Sequence, residues 1–66
     1  MNARIVWTLD AVDQRARELA FLLSNPVLSR PTPTGRENAM VRAARAELHR
    51  AAEGYARELL RAMNPA

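Results

Sequence analysis

The chain has 66 residues, ten basic and seven acidic side chains, a net charge of +3 and no cysteine. This leaves room for one small domain (1–66) and excludes a disulfide framework, a thiolate metal site and a thiol redox centre. A chain this short buries a modest share of its surface and usually draws the missing stability from a disulfide, a metal or a partner.

A single histidine cannot build a zinc site unaided, so no cofactor or metal is expected. Association with a second copy or a larger protein is the remaining route. All ten basic residues are arginine and alanine is abundant. That composition points to a GC-rich coding genome, hence a bacterial or phage origin. No apolar run approaches the ~20 residues of a membrane span. The N-terminus also lacks a basic start followed by a long apolar block. A soluble, cytoplasmic protein with no membrane partner is expected.

The first element is a helix over about residues 3–24. Ile5, Leu9, Val12, Ala16, Leu19 and Leu23 step by alternating fours and threes, the seam of a heptad repeat. Asn25-Pro26 stops the helix, because the residue before a proline is pushed out of the helical region. Asn2 is a candidate N-cap. The β-branched and aromatic content of Arg4-Ile5-Val6-Trp7-Thr8 supports a second reading, a short strand, with Thr8 or Asp10 capping the helix that follows.

Residues 25–34 form a Pro-rich connector, longer than the roughly 2–8 residues that usually join two helices. Its prolines stiffen it, and Val27 and Leu28 are expected to tuck over the hairpin end. Thr34 and Glu37 have the spacing of a capping box. With Asn64-Pro65 as the stop, they predict a second helix over about 35–63, roughly 43 Å long. Alanine, arginine, leucine and glutamate fill it, all strong helix formers.

The two apolar stripes pair in an antiparallel hairpin. Leu23 faces Val41, Ala20 faces Ala44, Ala16 faces Leu48, Val12 faces Ala52, Leu9 faces Tyr55 and Ile5 faces Leu59. The residue numbers of each pair add to the same total, and large side chains repeatedly meet small ones, as interdigitating layers require. The expected fold is all-α: an antiparallel two-helix hairpin, pairing into a four-helix bundle or docking on a larger protein.

Nothing in this pattern assembles catalytic chemistry, so the chain is not expected to be an enzyme. His49 and Glu53 stand four residues apart on one helix face, a ligand spacing, but a bound metal needs three or four convergent ligands. Gly35-Arg36 at a helix start offers N–H groups to an anion. The glycine-rich phosphate-loop pattern is missing, and Glu37 competes for the same donors.

Two surfaces stand out. Trp7 and Phe21 are fourteen residues apart on α-helical spacing, about 21 Å along one stripe, with Leu22 beside them. One hairpin cannot bury that stripe, and exposed aromatics of this kind mark interfaces. Trp7, Phe21 and Leu22 are therefore the candidate partner-binding residues, for a homodimer or a larger protein. On the second helix Arg42, Arg45, His49, Arg50, Arg57 and Arg61 share a broad outer arc. This arc is a candidate electrostatic contact, with nucleic acid as a secondary partner. Glu47 and Glu58 flank it at pairing distance from Arg50 and Arg61.

If residues 4–9 are a strand, the order becomes strand, helix, loop, helix. Thr8-Leu9-Asp10 followed by Arg17-Glu18-Leu19-Ala20, with Gly35-Arg36 before Asn38-Ala39-Met40-Val41-Arg42, then resembles the ribbon-helix-helix DNA-binding family. That resemblance implies a dimeric regulator whose paired strands enter the major groove, with Arg4, Val6 and Thr8 toward the bases and Ile5, Trp7 and Leu9 toward the core. The connector is longer than that family's, Arg45 stands where it would bury an apolar residue, and the second helix runs on beyond its usual end. The helical reading leads instead to a small non-catalytic interaction, adaptor or inhibitor protein acting through the aromatic face.

Overall fold

The computed structural model describes residues 3–64. It is a hairpin of two helices, α1 (Ala3–Ser24) and α2 (Ala39–Met63), lying side by side. The all-α expectation holds. The Asn2 cap and the Pro65 half of the stop signal fall outside the described residues.

Residues 4–9 belong to α1, so the strand that the ribbon-helix-helix reading requires is replaced by helix. β-Branched residues resist a helix only weakly when packing rewards it. Ile5 and Thr8 both lie half-buried toward α2. The Thr8 hydroxyl donates to the carbonyls of Arg4 (2.8 Å) and Ile5 (3.1 Å), which satisfies it within the helix.

α1 ends at Ser24, and Asn25 turns the chain. The Asn25 side-chain oxygen accepts from the backbone N–H of Val27 (3.0 Å) and Leu28 (3.3 Å), while its carbonyl accepts from Ser29 (2.9 Å). Asn25 thus caps a single helical turn with Pro26 in the first position, where its missing N–H costs nothing. Leu28 is half-buried, but Val27 is exposed and does not cover the hairpin end as expected.

The second half of the connector closes on itself. The Gly35 N–H donates to the Thr32 carbonyl and the Thr32 N–H to the Arg36 carbonyl, both at 2.8 Å. Pro33 takes the second turn position, which its fixed φ suits. Gly35 has a φ of +80°, and a helix cannot pass through that conformation. The capping box at Thr34 therefore does not form. Thr34 meets the Thr32 hydroxyl instead, and Glu37 reaches Arg45. Asn38 caps α2, its side-chain oxygen accepting from the Met40 N–H at 2.8 Å. The second helix accordingly begins at Ala39 rather than 35 and ends at Met63, as expected.

The seam between the helices is narrow. Leu19 and Val41 are the buried residues of the core. Around them Ile5, Thr8, Val12, Arg15 and Leu22 of α1, and Ala44, Leu48, Ala51, Tyr55 and Leu59 of α2, are half-buried. This differs in phase from the sequence expectation. Ile5, Val12, Ala16 and Leu19 keep their places, but Thr8, Arg15 and Leu22 enter, and Leu9, Ala20 and Leu23 are exposed. On α2, Ala51 replaces Ala52. The polar residues enter because each carries its own partner. Thr8 is bonded to its own helix, and Arg15 lays its aliphatic stem in the seam with its guanidinium 3.0 Å from Glu18.

The molecule is a slab measuring 52 × 18 × 10 Å, one helix thick. The two glycines respond differently to an added methyl group. Gly35→Ala meets open space, so its cost is backbone strain of about 1 kcal/mol at positive φ. Gly54→Ala also meets open space, inside α2, and gains about 1 kcal/mol of helix propensity. Urea unfolding of the two variants should shift the midpoint down for Gly35→Ala and up for Gly54→Ala. Equal shifts would contradict the turn geometry at Gly35.

Candidate interaction surfaces

A seam of this kind has two flanks. In an antiparallel pair, the residues just past the seam on the C-terminal side of each helix share one flank, and those just before it share the other. Trp7, Gln14 and Phe21 follow one another at heptad spacing and form a ridge beside the flank of Ala11, Glu18, Glu47 and Gly54. Leu9, Ala16 and Leu23 lie on the opposite flank with Arg45, Ala52 and Leu59.

The aromatic ridge is open. Trp7 is 70% exposed and Phe21 64% exposed, as the spacing predicts. The connector does not fold back over Phe21. Leu22 departs from its expected place. It is half-buried in the seam, and joins Phe21 through a shallow depression of about 400 Å³ lined by Arg17, Glu18, Phe21, Leu22 and Ala44. The ridge therefore has a bare tryptophan at the free end of the hairpin and a phenylalanine beside an apolar depression at the loop end.

The six basic residues of α2 sit on its outer half, and four are held by acids. Arg45 pairs with Glu37 (3.2 Å), Arg50 with Glu47 (3.2 Å), Arg57 with Glu53 (3.7 Å) and Arg61 with Glu58 (3.6 Å). The two pairs expected from spacing, Arg50–Glu47 and Arg61–Glu58, both form. Exposed pairs contribute only about 0–1 kcal/mol each to stability, but they lower the positive potential of the arc. The arc is also divided. Arg42, Arg45 and His49 lie toward the Leu9 flank, whereas Arg50, Arg57 and Arg61 lie toward the tryptophan side.

Glu53 pairs with Arg57. Among the described residues no group of three or more His, Cys, Asp or Glu side chains converges as a metal set would. No helix of the described residues is long and apolar enough to cross a membrane.

Sequence reasoning missed two features. Leu9 and Leu23 were assigned to the core, yet they are 48% and 49% exposed. The signal was present, because Thr8, Arg15 and Leu22 complete a heptad with Ile5, Val12 and Leu19 as regularly as Leu9, Ala16 and Leu23 do. The second is Glu58, whose side chain is only 15% exposed. Its Oε2 has no hydrogen-bond donor, an uncompensated polar atom on the edge of the seam.

No family model, no curated protein and no solved structure matches this chain.

The division between ridge and seam is measurable in the isolated chain. Leu22→Ala should lower unfolding stability by on the order of 1–2 kcal/mol, since it empties a half-buried seam position. Phe21→Ala should stay within about 0.5 kcal/mol, as surface substitutions do. Thermal unfolding followed by circular dichroism compares them, and the opposite ranking would place Phe21 in the core.

Proposed function

We propose that this chain is a non-catalytic protein–protein interaction module, an adaptor or inhibitor, that engages a partner protein through the Trp7–Phe21 ridge. The observation that carries this reading is the exposure of both aromatics, at 70% and 64%, on a hairpin with very little core. An exposed tryptophan costs a protein solubility and gives its fold nothing, whereas at an interface it is among the strongest anchors.

Two aromatics about 21 Å apart along one helix suit a protein surface with two apolar pockets, filled from one side by a rigid rod. The depression beside Phe21 widens the contact at the loop end. The mode is a helix face laid against an apolar groove, read at heptad spacing. A cytoplasmic setting and a bacterial or phage source belong to this proposal and rest on composition.

The basic arc has a secondary part here. Arg50, Arg57 and Arg61 border the ridge side, and an acidic rim on the partner would compete for them with Glu47, Glu53 and Glu58. Such contacts tune association rate more than affinity. The DNA-regulator reading loses its structural premise, because the residues that would form the ribbon are helical.

The test uses the full chain as bait with two controls. Proteins retained by the unmodified chain should be lost with Trp7→Ala/Phe21→Ala and kept with a variant of the opposite flank, Leu9→Glu. For a partner recovered this way, Trp7→Ala alone should weaken binding by about 2 kcal/mol or more in calorimetry. Equal affinity for the unmodified and Trp7→Ala chains would overturn the assignment.

A further inference from the structure

We infer that the flank opposite the aromatic ridge is a self-association surface. A second copy of this chain would pack on it, with α1 of each copy lying over α2 of the other, to give a four-helix bundle that leaves Trp7 and Phe21 on the outside. This goes beyond the partner-binding reading and does not depend on it.

The first argument is surface. The chain exposes 5307 Å² for 7.4 kDa, whereas a compact monomer of that mass exposes about 4,200 Å². The slab presents a face 52 Å long and 18 Å across, a plan area on the order of 900 Å², against the roughly 800 Å² per partner buried in a stable interface of standard size. One copy of the same slab fits such a face from end to end.

The second argument is composition. The seam is turned so that Leu9, Leu23, Arg45 and Ala52 of this flank are exposed and Ala16 and Leu59 half-buried, while on the other Ala11, Glu47 and Gly54 are half-buried and Glu18 is exposed. This is the more open side. It carries a third apolar row, Leu9, Ala16 and Leu23, beside the seam, which is the wider apolar stripe of bundle helices rather than the narrow stripe of an isolated pair.

The third argument is complementarity, and it selects the orientation. On this flank Val6 and Leu9 of α1 stand near the height of the small Ala56 and Ala52 of α2, with Ala16 further along α1 and Arg45 and the half-buried Leu59 further along α2. A two-fold axis along the hairpin places α1 over the partner's α2 and sets large against small. A two-fold axis across the hairpin would set α1 on α1 and α2 on α2 and would lose that match.

Charge agrees. Asp13 lies eleven residues before the end of α1, and His49 ten residues after the start of α2, so they stand at the same height. With α1 over α2, Asp13 faces His49 of the partner copy; with α1 over α1, it faces another Asp13. Arg45, on the same flank, is already neutralised by Glu37 at 3.2 Å.

Sedimentation equilibrium of the full chain from micromolar to millimolar concentration tests the association. The expected result is a monomer–dimer equilibrium weakened at least tenfold by Leu9→Glu/Leu23→Glu and unchanged by Trp7→Ala/Phe21→Ala. A strict monomer at millimolar concentration overturns the proposal, as does a dimer lost with the aromatic pair and kept with the leucine pair. Because the chain lacks cysteine, single cysteines test the orientation and keep the test decisive should the leucine variant fail to fold. Under mild oxidation a mixture of Asp13→Cys and His49→Cys chains should form the mixed disulfide in preference to either homodimer. Preferential formation of the Asp13→Cys homodimer would overturn the arrangement.

Discussion

Two helices share one seam, and one seam cannot make a core. Everything else in this molecule depends on that limit. A side chain in the seam has neighbours on one side and solvent within one helix diameter, so among the described residues only the apolar Leu19 and Val41 are buried, and Val41 alone fully. Hydrophobic stabilisation scales with area removed from water, about 25 cal/mol per Å², and half-buried residues contribute half-measures. The consequence is a chain whose broad faces remain apolar in part, available for association.

The same limit explains which residues enter the seam. In a thick core, a threonine or an arginine facing inward would be costly. In a slab 10 Å thick, Arg15 can bury its methylenes and still keep its guanidinium beside Glu18 in solvent, and Thr8 can turn its hydroxyl back onto its own helix. Seating these two residues rotates α1 by about half a position, roughly 50°, and moves Leu9 and Leu23 outward. The seam is therefore partly polar and one flank carries two exposed leucines, a distribution that suits a molecule whose inside is completed by another molecule.

The helices were legible because their evidence is redundant. Heptad spacing, helix-forming composition and the Asn25-Pro26 stop all agree for α1, and they outweighed the β-branched run at Ile5-Val6. The exposure of Trp7 and Phe21 was legible because their positions avoid either choice of seam. The seam phase was not. Ile5, Val12 and Leu19 are common to both choices, and hydrophobicity alone favours Leu9 and Leu23 over Thr8 and Arg15. What decides is how well each polar group is satisfied locally, which a count of apolar residues does not contain. The start of α2 was misplaced for a related reason. Thr34 and Asn38 are both good caps, and the choice between them rests on Gly35, whose left-handed conformation belongs to the turn that Thr32 closes and not to a helix.

The connector and the two buried residues together set the order in which the hairpin opens. Leu19 is near the end of α1 and Val41 near the beginning of α2, so the best-packed part of the molecule adjoins two turns that are already closed by their own hydrogen bonds. Such a hairpin zips from the loop outward and frays from the free ends inward, since both buried residues lie toward the loop and the free ends have the largest stretch of chain between them. Phe21 rides on the part that closes first and Trp7 on the part that opens first. The two ends of one ridge thus differ in timing: the phenylalanine is presented on a settled platform, and the tryptophan on one that still breathes.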